Sequence, residues 1–260
     1  LSGIKDDVRA EISNAEVLLI GYMAVNDFNG NYFKAHQYVK MMHLVKEIDY
    51  TRFLRRLVKI NNVLSTLFLF LGSLFQRLNG AKIYSVDSFP VELCQITRQS
   101  RVRLWSDPSL KGYNASKGRF FYGLKVHMVV TTDKEPVMVH ISEGSIHDVT
   151  AGYQFMHHLP KESITIGDKG YVSSKLEAFL KRFDIVLSPI GRNNMQRENK
   201  EDYFTKRRIR KGVETAFSMI TAKFGKVIKA TTIGGFLTKL RLFITAYAIN
   251  CFLKLSDDKK

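Results

Sequence analysis

The sequence predicts a mixed α/β fold, in which a sheet flanked by helices follows a small all-helical N-terminal domain. Residues 1–78 carry helix-start signals and long apolar segments without strand-like alternation. From Ala81 onward, short runs of β-branched and aromatic residues precede or alternate with helical segments, which favours a mixed sheet packed against helices. We therefore expect two domains, residues 1–78 and residues 79–260.

The N-terminal domain is predicted to contain four helices. The first opens with a capping-box pattern at residues 13–16, the second covers residues 33–46, and the third, rich in arginine, starts at residues 49–57. The apolar run at residues 63–75 is too short to span a bilayer and predicts a buried helix. Such a domain with a basic helix fits a DNA-end-binding module of helix-turn-helix type, or equally a helical cap with solvated arginines.

The sheet is predicted to begin with a strand over residues 82–87, which carries Asp87 to its end. Pro90 follows and should limit continuation of that strand. The remaining predictions follow chain order: a basic loop at 98–117, strands at 119–132 and 136–142, a helix at 147–158, a strand at 164–166, a helix with a capping box at 174–177, a strand at 183–188, a basic loop at 192–211, and helices at 212–224 and 236–253.

The charge of the chain points to a polyanionic partner. The formal net charge is +16 and the isoelectric point is near 9.8, which favours nucleic acid over a merely basic soluble protein. The two cysteines, Cys94 and Cys251, lie far apart and belong to no ligand spacing, which argues against a disulfide framework and a zinc site. The apolar runs are short, so we expect no membrane protein.

Three acidic residues stand where a metal site could be built. Asp87 and Asp168 each follow a strand-like run, and Glu214 lies where a helical pattern begins. Magnesium prefers carboxylate oxygens, and two such ions about 4 Å apart can act on both oxygens of a phosphodiester exchange. Each acid alone is more often a turn former or a solvated side chain. Asp148 competes for a catalytic place, although its position early in a helix favours a structural role.

Five short blocks, in order, resemble the DDE transposases of bacterial insertion sequences. The blocks are YSVDSFPV at 84–91, YGLKVH at 122–127, EGSIHD at 143–148, GDKGY at 167–171 and RKGVET at 210–215. In the last block an arginine precedes the glutamate by four positions, as in the family. Related enzymes also carry a tyrosine seven residues before the glutamate and a lysine seven after it, where this chain has Arg207 and Thr221.

The resemblance implies an RNase H-like catalytic domain that uses Mg²⁺, with Mn²⁺ as a substitute and two ions per site. It gives Asp87, Asp168 and Glu214 catalytic and metal-binding roles. The implied reaction is metal-dependent hydrolysis of a phosphodiester at the transposon end, after which the freed 3′-hydroxyl attacks a target strand. A nuclease without strand transfer and a catalytically decayed DNA-binding derivative are the alternatives.

The partner implied by the resemblance is double-stranded DNA, both transposon ends and target. We expect a homodimer in the DNA complex and a cytoplasmic, nucleoid-associated protein. The candidates for contacts to the DNA backbone are Lys169, Arg192, Arg207, Arg208, Arg210 and Lys211. Trp105 and Tyr171 are candidates for stacking on a distorted base, with core packing as the alternative.

Overall fold

The computed structural model describes residues 11–190, 200–224 and 228–257. Its chain divides into two compact units, one joining Leu1–Leu71 with Met219–Lys260 and the other formed by Gly72–Ser218. The division falls inside two helices, and it groups the C-terminal helix with the N-terminal ones. The predicted domain boundary after residue 78 lies close to the first division, and the assignment of residues 79–260 to one functional domain stays a prediction.

The elements of the described chain are eight α-helices and six strands. The helices are α1 (Asn14–Asn26), α2 (Tyr32–Met41), α3 (Tyr50–Lys59), α4 (Asn61–Leu78), α5 (Asp148–Phe155), α6 (Ser174–Lys181), α7 (Lys200–Phe224) and α8 (Ile233–Asp257). The strands are β1 (Ile83–Cys94), β2 (Lys111–Asn114), β3 (Arg119–Thr131), β4 (Pro136–Glu143), β5 (Ser163–Gly167) and β6 (Ile185–Leu187).

The first unit is helical, as the sequence predicts. The capping box at its start is confirmed, because Ser13 Oγ accepts from the Glu16 backbone N–H while Glu16 Oε2 accepts from that of Ser13. Helix α2 ends at Met41, five residues earlier than predicted, and His43 beyond it has a left-handed backbone conformation with φ of 50°. The core that these helices share contains Ile12, Val17, Ile20, Ala24, Ala35, Val39, Phe53, Leu57 and Ile60.

Helix α4 is less buried, and helix α8 is longer, than the sequence predicts. Helix α4 buries only one face, since Leu69 and Phe70 remain exposed. Within the described chain, α8 is long and apolar enough to cross a membrane, and the bent pair of α3 and α4 passes the same test when taken together. In α8, however, 56% of that apolar window is buried inside the protein. It therefore packs as the core helix of the first unit.

The second unit is a six-stranded mixed sheet. Strand β1 pairs antiparallel with β3 and parallel with β5, and β6 continues the sheet parallel to β5. The other edge of β3 pairs antiparallel with β4 and, earlier along the strand, with β2. With β4 taken as the neighbour of β3, the order β4-β3-β1-β5-β6, in which β3 is antiparallel to both its neighbours and β5 and β6 are parallel to β1, is that of an RNase H-like sheet; β2 pairs with the start of β3. The predicted fold class is confirmed.

The centre of this sheet is covered on both faces. Successive side chains of a strand point to opposite faces, and the neighbours Met128 and Val129 of β3 are both fully buried. The predicted stop at Pro90 is wrong, because β1 runs on to Cys94 along β3. Among the described residues, β1 is paired on both edges only as far as Val86, so Pro90 lies where one edge is unpaired and a proline is tolerated.

Three further boundaries differ from the sequence prediction. The segment predicted as a basic loop at 98–117 contains strand β2 and short 3₁₀ turns. Helix α6 is capped by Ser173, whose hydroxyl accepts from the Leu176 N–H, so the cap lies one residue earlier than predicted. The capping box predicted at residues 174–177 is wrong, because the residue three positions after this cap is Leu176, which has no side-chain acceptor. In the predicted loop at 192–211, residues 200–211 are helical, while 192–199 lie outside the described residues.

Helix α7 begins at Lys200, 12 residues before the predicted start at residue 212, because its basic residues favour a helix. Lysine and arginine are good helix formers, and the stretch contains no proline. Its first turn carries Glu201 and Asp202, which complement the positive end of the helix dipole. The basic segment therefore extends the helix that carries Glu214 by more than three turns.

Candidate functional site

The register between β1 and β5 brings two aspartates side by side. The last parallel pair is Val86 with Gly167, and the next residue of each segment is Asp87 and Asp168. Beyond this pair β5 ends in a turn, whereas β1 continues along β3. The two carboxylates thus lie where the parallel pairing of β1 with β5 ends, at the carboxyl end of β5 but within β1. The prediction that Asp87 ends its strand is therefore wrong.

Asp87 is the more deeply buried of the two, with 15% of its side chain exposed. Burial raises the pKa of its carboxyl group to about 7, although the Ser88 N–H and the Arg210 guanidinium favour the charged form. The neighbouring Asp168 and Asp148 raise the pKa further. Near pH 7 this carboxyl group is therefore divided between its protonated and charged forms, and an added positive charge would favour the carboxylate.

Asp168 is fixed by the turn that it caps. Its Oδ1 accepts from the Lys169 N–H at 2.6 Å, and the 3₁₀ turn Lys169–Tyr171 follows. This hydrogen bond from the Lys169 N–H orients the carboxylate, and 38% of the Asp168 side chain stays exposed. A short polar side chain at this position serves as a cap.

Glu214 reaches the same place from helix α7 through Arg210, one turn earlier. One guanidinium group faces all three acids: Nη2 donates to Glu214 Oε1 at 2.7 Å, Nη1 lies 3.3 Å from Asp168 Oδ1, and Nε lies 3.8 Å from Asp87 Oδ2. Nε is buried and has no hydrogen-bond partner among the described residues. Three acidic side chains from separate segments thus share a single positive group.

The chemistry of these donors fits a divalent cation. Carboxylate oxygens are the ligands that magnesium prefers, and three acids facing one guanidinium leave an excess of negative charge. Within the described ranges, no group of three or more His, Cys, Asp or Glu side chains is close enough together to hold a metal ion. In this structure the Arg210 guanidinium contacts all three acids and supplies the positive charge that faces them.

Behind the acids lies a polar cluster that sequence reasoning largely missed. Asp148 accepts from Ser88 Oγ at 3.0 Å and lies 3.3 Å from Lys125 Nζ. His127 lies between Tyr171 OH and Ser142 Oγ, and burial, followed by the charge of Lys125, lowers the pKa of its imidazole to about 3. The imidazole is therefore neutral. A polar residue at an inward position of an otherwise apolar strand was the available signal for both Lys125 and His127.

The residues predicted to contact the DNA backbone fall into three groups. Lys169, Arg207, Arg208 and Lys211 are exposed, as phosphate contacts require. Arg210 is instead held among the acids, and Arg192 lies outside the described residues.

Tyr171 is fully buried with its hydroxyl near His127 Nδ1, so the expectation that it stacks on a base is wrong. Trp105 is half-buried, and its role stays a prediction.

Comparison with known proteins agrees with this geometry. A family model described as "Transposase DDE domain" matches residues 79–251, which include all three acids. No curated protein sequence matches the chain. Among solved structures, the chain resembles one in the cryo-EM structure of the piggyBac transposase synaptic complex with hairpin DNA, with a TM-score of 0.44 and 11% identity. That similarity covers 93% of this chain and 66% of the other, and it is too weak to carry an argument.

The family match spans more than half of the chain and contains the sheet, Asp87, Asp168 and the helical Glu214. The chain belongs to the family of transposase DDE domains.

Proposed function

We propose that this chain is a DNA transposase that cuts DNA at the ends of an element and joins the cut ends to target DNA in a Mg²⁺-dependent reaction. The observation that carries the proposal is the convergence of Asp87, Asp168 and Glu214 on one positive group at the edge of an RNase H-like sheet. Membership of the transposase family supports the reaction class.

Asp87, Asp168 and Glu214 would hold the divalent ions, two Mg²⁺ per site with Mn²⁺ as a substitute. When bound, such ions stabilise the negative charge on the attacking and leaving oxygens of a phosphodiester. The protein supplies rigidity: Asp87 is fixed in a paired strand, Asp168 is held by its turn, and Glu214 lies on a long helix. In the proposed reaction water hydrolyses the first strand, and the freed 3′-hydroxyl then attacks the target strand without a covalent protein intermediate.

The partner in this proposal is double-stranded DNA, both element ends and target. Arg207, Arg208 and Lys211 present exposed positive charges on the helix that carries Glu214, and Lys169 does so beside Asp168. Backbone contacts of this kind release counterions, so binding should weaken steeply as salt rises. A homodimer would bring two element ends together, and we place the protein in the cytoplasm on the nucleoid.

Incubation of the protein with labelled DNA from the flanks of its gene tests the proposal. We expect joined products that require Mg²⁺ or Mn²⁺, and binding that weakens about 10-fold per 10-fold salt increase for each phosphate contact. Cleavage without joining would replace the proposal by a metal-dependent nuclease. Salt-sensitive binding with neither reaction, under conditions that support Mn²⁺ binding, would indicate a decayed DNA-binding derivative.

A further inference from the structure

A fourth carboxylate, that of Asp148, contacts both segments that carry Asp87 and Asp168. Its Oδ1 accepts from Ser88 Oγ at 3.0 Å, and Ser88 directly follows Asp87. Its Oδ2 lies against Gly170, two residues after Asp168, so closely that a Cβ on that glycine would come within 2.6 Å of it. One side chain therefore touches the neighbours of both acids.

Lys125 holds that carboxylate in place. Its Nζ lies 3.3 Å from Asp148 Oδ1 and also donates to the Ile146 carbonyl at 2.8 Å, with only 14% of the side chain exposed. His127 is 3.7 Å from the same oxygen but stays neutral, so the positive partner is Lys125. A buried lysine with two fixed acceptors has little freedom to move.

Asp148 differs in its contacts from the three acids that face Arg210. Its Oδ1 is already occupied by a hydroxyl and an ammonium group, and Oδ2 packs on the backbone at Gly170. The side chain links β1, β3, the start of α5 and the turn after β5. It is therefore in a position to set the distances between those elements while its charge is paired with Lys125.

We propose that Asp148 and Lys125 form a positioning pair that fixes the spacing between Asp87 and Asp168, and thereby the affinity of the site for divalent ions. This inference rests on the proposed function, because it assumes that those two aspartates bind the ions. Residues that orient ligands from behind typically change metal affinity by about 10–100-fold when they are replaced.

Mn²⁺ affinity, measured by electron paramagnetic resonance without DNA, tests the pair directly. We expect Asp148→Asn and Lys125→Met each to weaken Mn²⁺ binding by about 10–100-fold. The matched control is Glu162→Gln, which removes another ion pair of the same unit, the exposed 2.7 Å contact with Lys82. The control should bind Mn²⁺ like the unsubstituted protein.

A second variant keeps the test decisive if removal of the buried charge impairs folding. Gly170→Ala places a methyl group against Asp148 Oδ2 and should push the carboxylate away, which weakens Mn²⁺ binding. This variant keeps the charge of Asp148, so it does not depend on the folding of a charge-removed protein. Gly170→Ala with the Mn²⁺ affinity of the unsubstituted protein would overturn the proposal.

The outcomes separate this inference from the proposed function. A merely structural role for the pair would lower Tm but leave the Mn²⁺ affinity of the folded protein unchanged, and that result would overturn the inference. If the unsubstituted protein binds Mn²⁺ and joins DNA while Asp148→Asn binds equally tightly, only this inference fails. If the unsubstituted protein does neither, both fail.

Discussion

Asp168→Asn should reduce the joining of DNA ends by on the order of 10³-fold or more while the protein stays folded. Asparagine is nearly the same size as aspartate and caps a turn equally well, so the contact with the Lys169 N–H can be kept. What is lost is one negative charge from a site that would hold divalent ions. Those ions supply several kcal/mol of transition-state stabilisation, and about 4 kcal/mol corresponds to a factor of 10³ in rate.

The matched control is Asp184→Asn, an aspartate of the same unit that lies in an exposed turn. Asp184 has φ of 59°, a conformation that asparagine also adopts, and its contact with Lys161 at 3.8 Å is exposed. We expect it to join DNA at the rate of the unsubstituted protein. The rates of joining at saturating Mg²⁺, with circular dichroism as a folding check, give the comparison. Equal activity of Asp168→Asn and Asp184→Asn would contradict the assignment.

Arg210→Gln should destabilise the metal-free protein at pH 8 and make its stability depend on divalent ions. Without the guanidinium, Asp87, Asp168 and Glu214 face one another with no nearby positive partner among their present contacts. We expect a loss of about 1–2 kcal/mol, below the cost of breaking a fully buried pair, because Asp168 and Glu214 are partly exposed. That loss corresponds to a fall in Tm of roughly 2–8 °C.

The sign of the pH dependence follows from Asp87. Its folded pKa of about 7 lies above the unfolded value near 3.9, so the folded state binds more protons between these values and stability falls as pH rises. Removing Arg210, which favours the charged form, raises the folded pKa further. The deficit should therefore be largest above pH 7 and shrink as the pH falls towards 5.

Thermal unfolding at pH 8 and pH 5, with and without Mn²⁺, measures both effects. Mn²⁺ should raise the Tm of Arg210→Gln more than that of the unsubstituted protein, because the ion need not displace a guanidinium. Arg208→Gln, an exposed arginine on the same helix, is the control for loss of a positive charge. A Tm of Arg210→Gln that is unchanged at pH 8 and insensitive to Mn²⁺ would contradict the role given to Arg210.

The meeting of the two aspartates could be predicted from the sequence because it depends on local patterns. Each follows a short β-branched run, and parallel neighbours in a sheet bring such strand ends together. The path of β1 past Pro90 could not be predicted in this way, because it depends on where β5 stops pairing. Strand propensity says nothing about which edge of a strand is covered.

The contacts of Arg210 with Asp87 and Asp168 also could not be predicted from the sequence pattern. Residues four positions apart are neighbours on a helix, and Arg210 contacts Glu214 at 2.7 Å. Its approach to Asp87 and Asp168 depends on how α7 is rotated against the sheet, which is set by buried residues such as Val213 and Phe217. The predicted phosphate contact and the observed contact with the acids therefore involve the same side chain.

Locating Mn²⁺ in crystals of the protein by anomalous scattering tests the central claim most directly. The account predicts a peak within bonding distance of the Asp87 and Asp168 carboxylates, with Glu214 facing it and the Arg210 guanidinium turned away. Crystals in which Arg210 still bridges the three acids while Mn²⁺ is bound elsewhere, or not at all at saturating concentration, would contradict it.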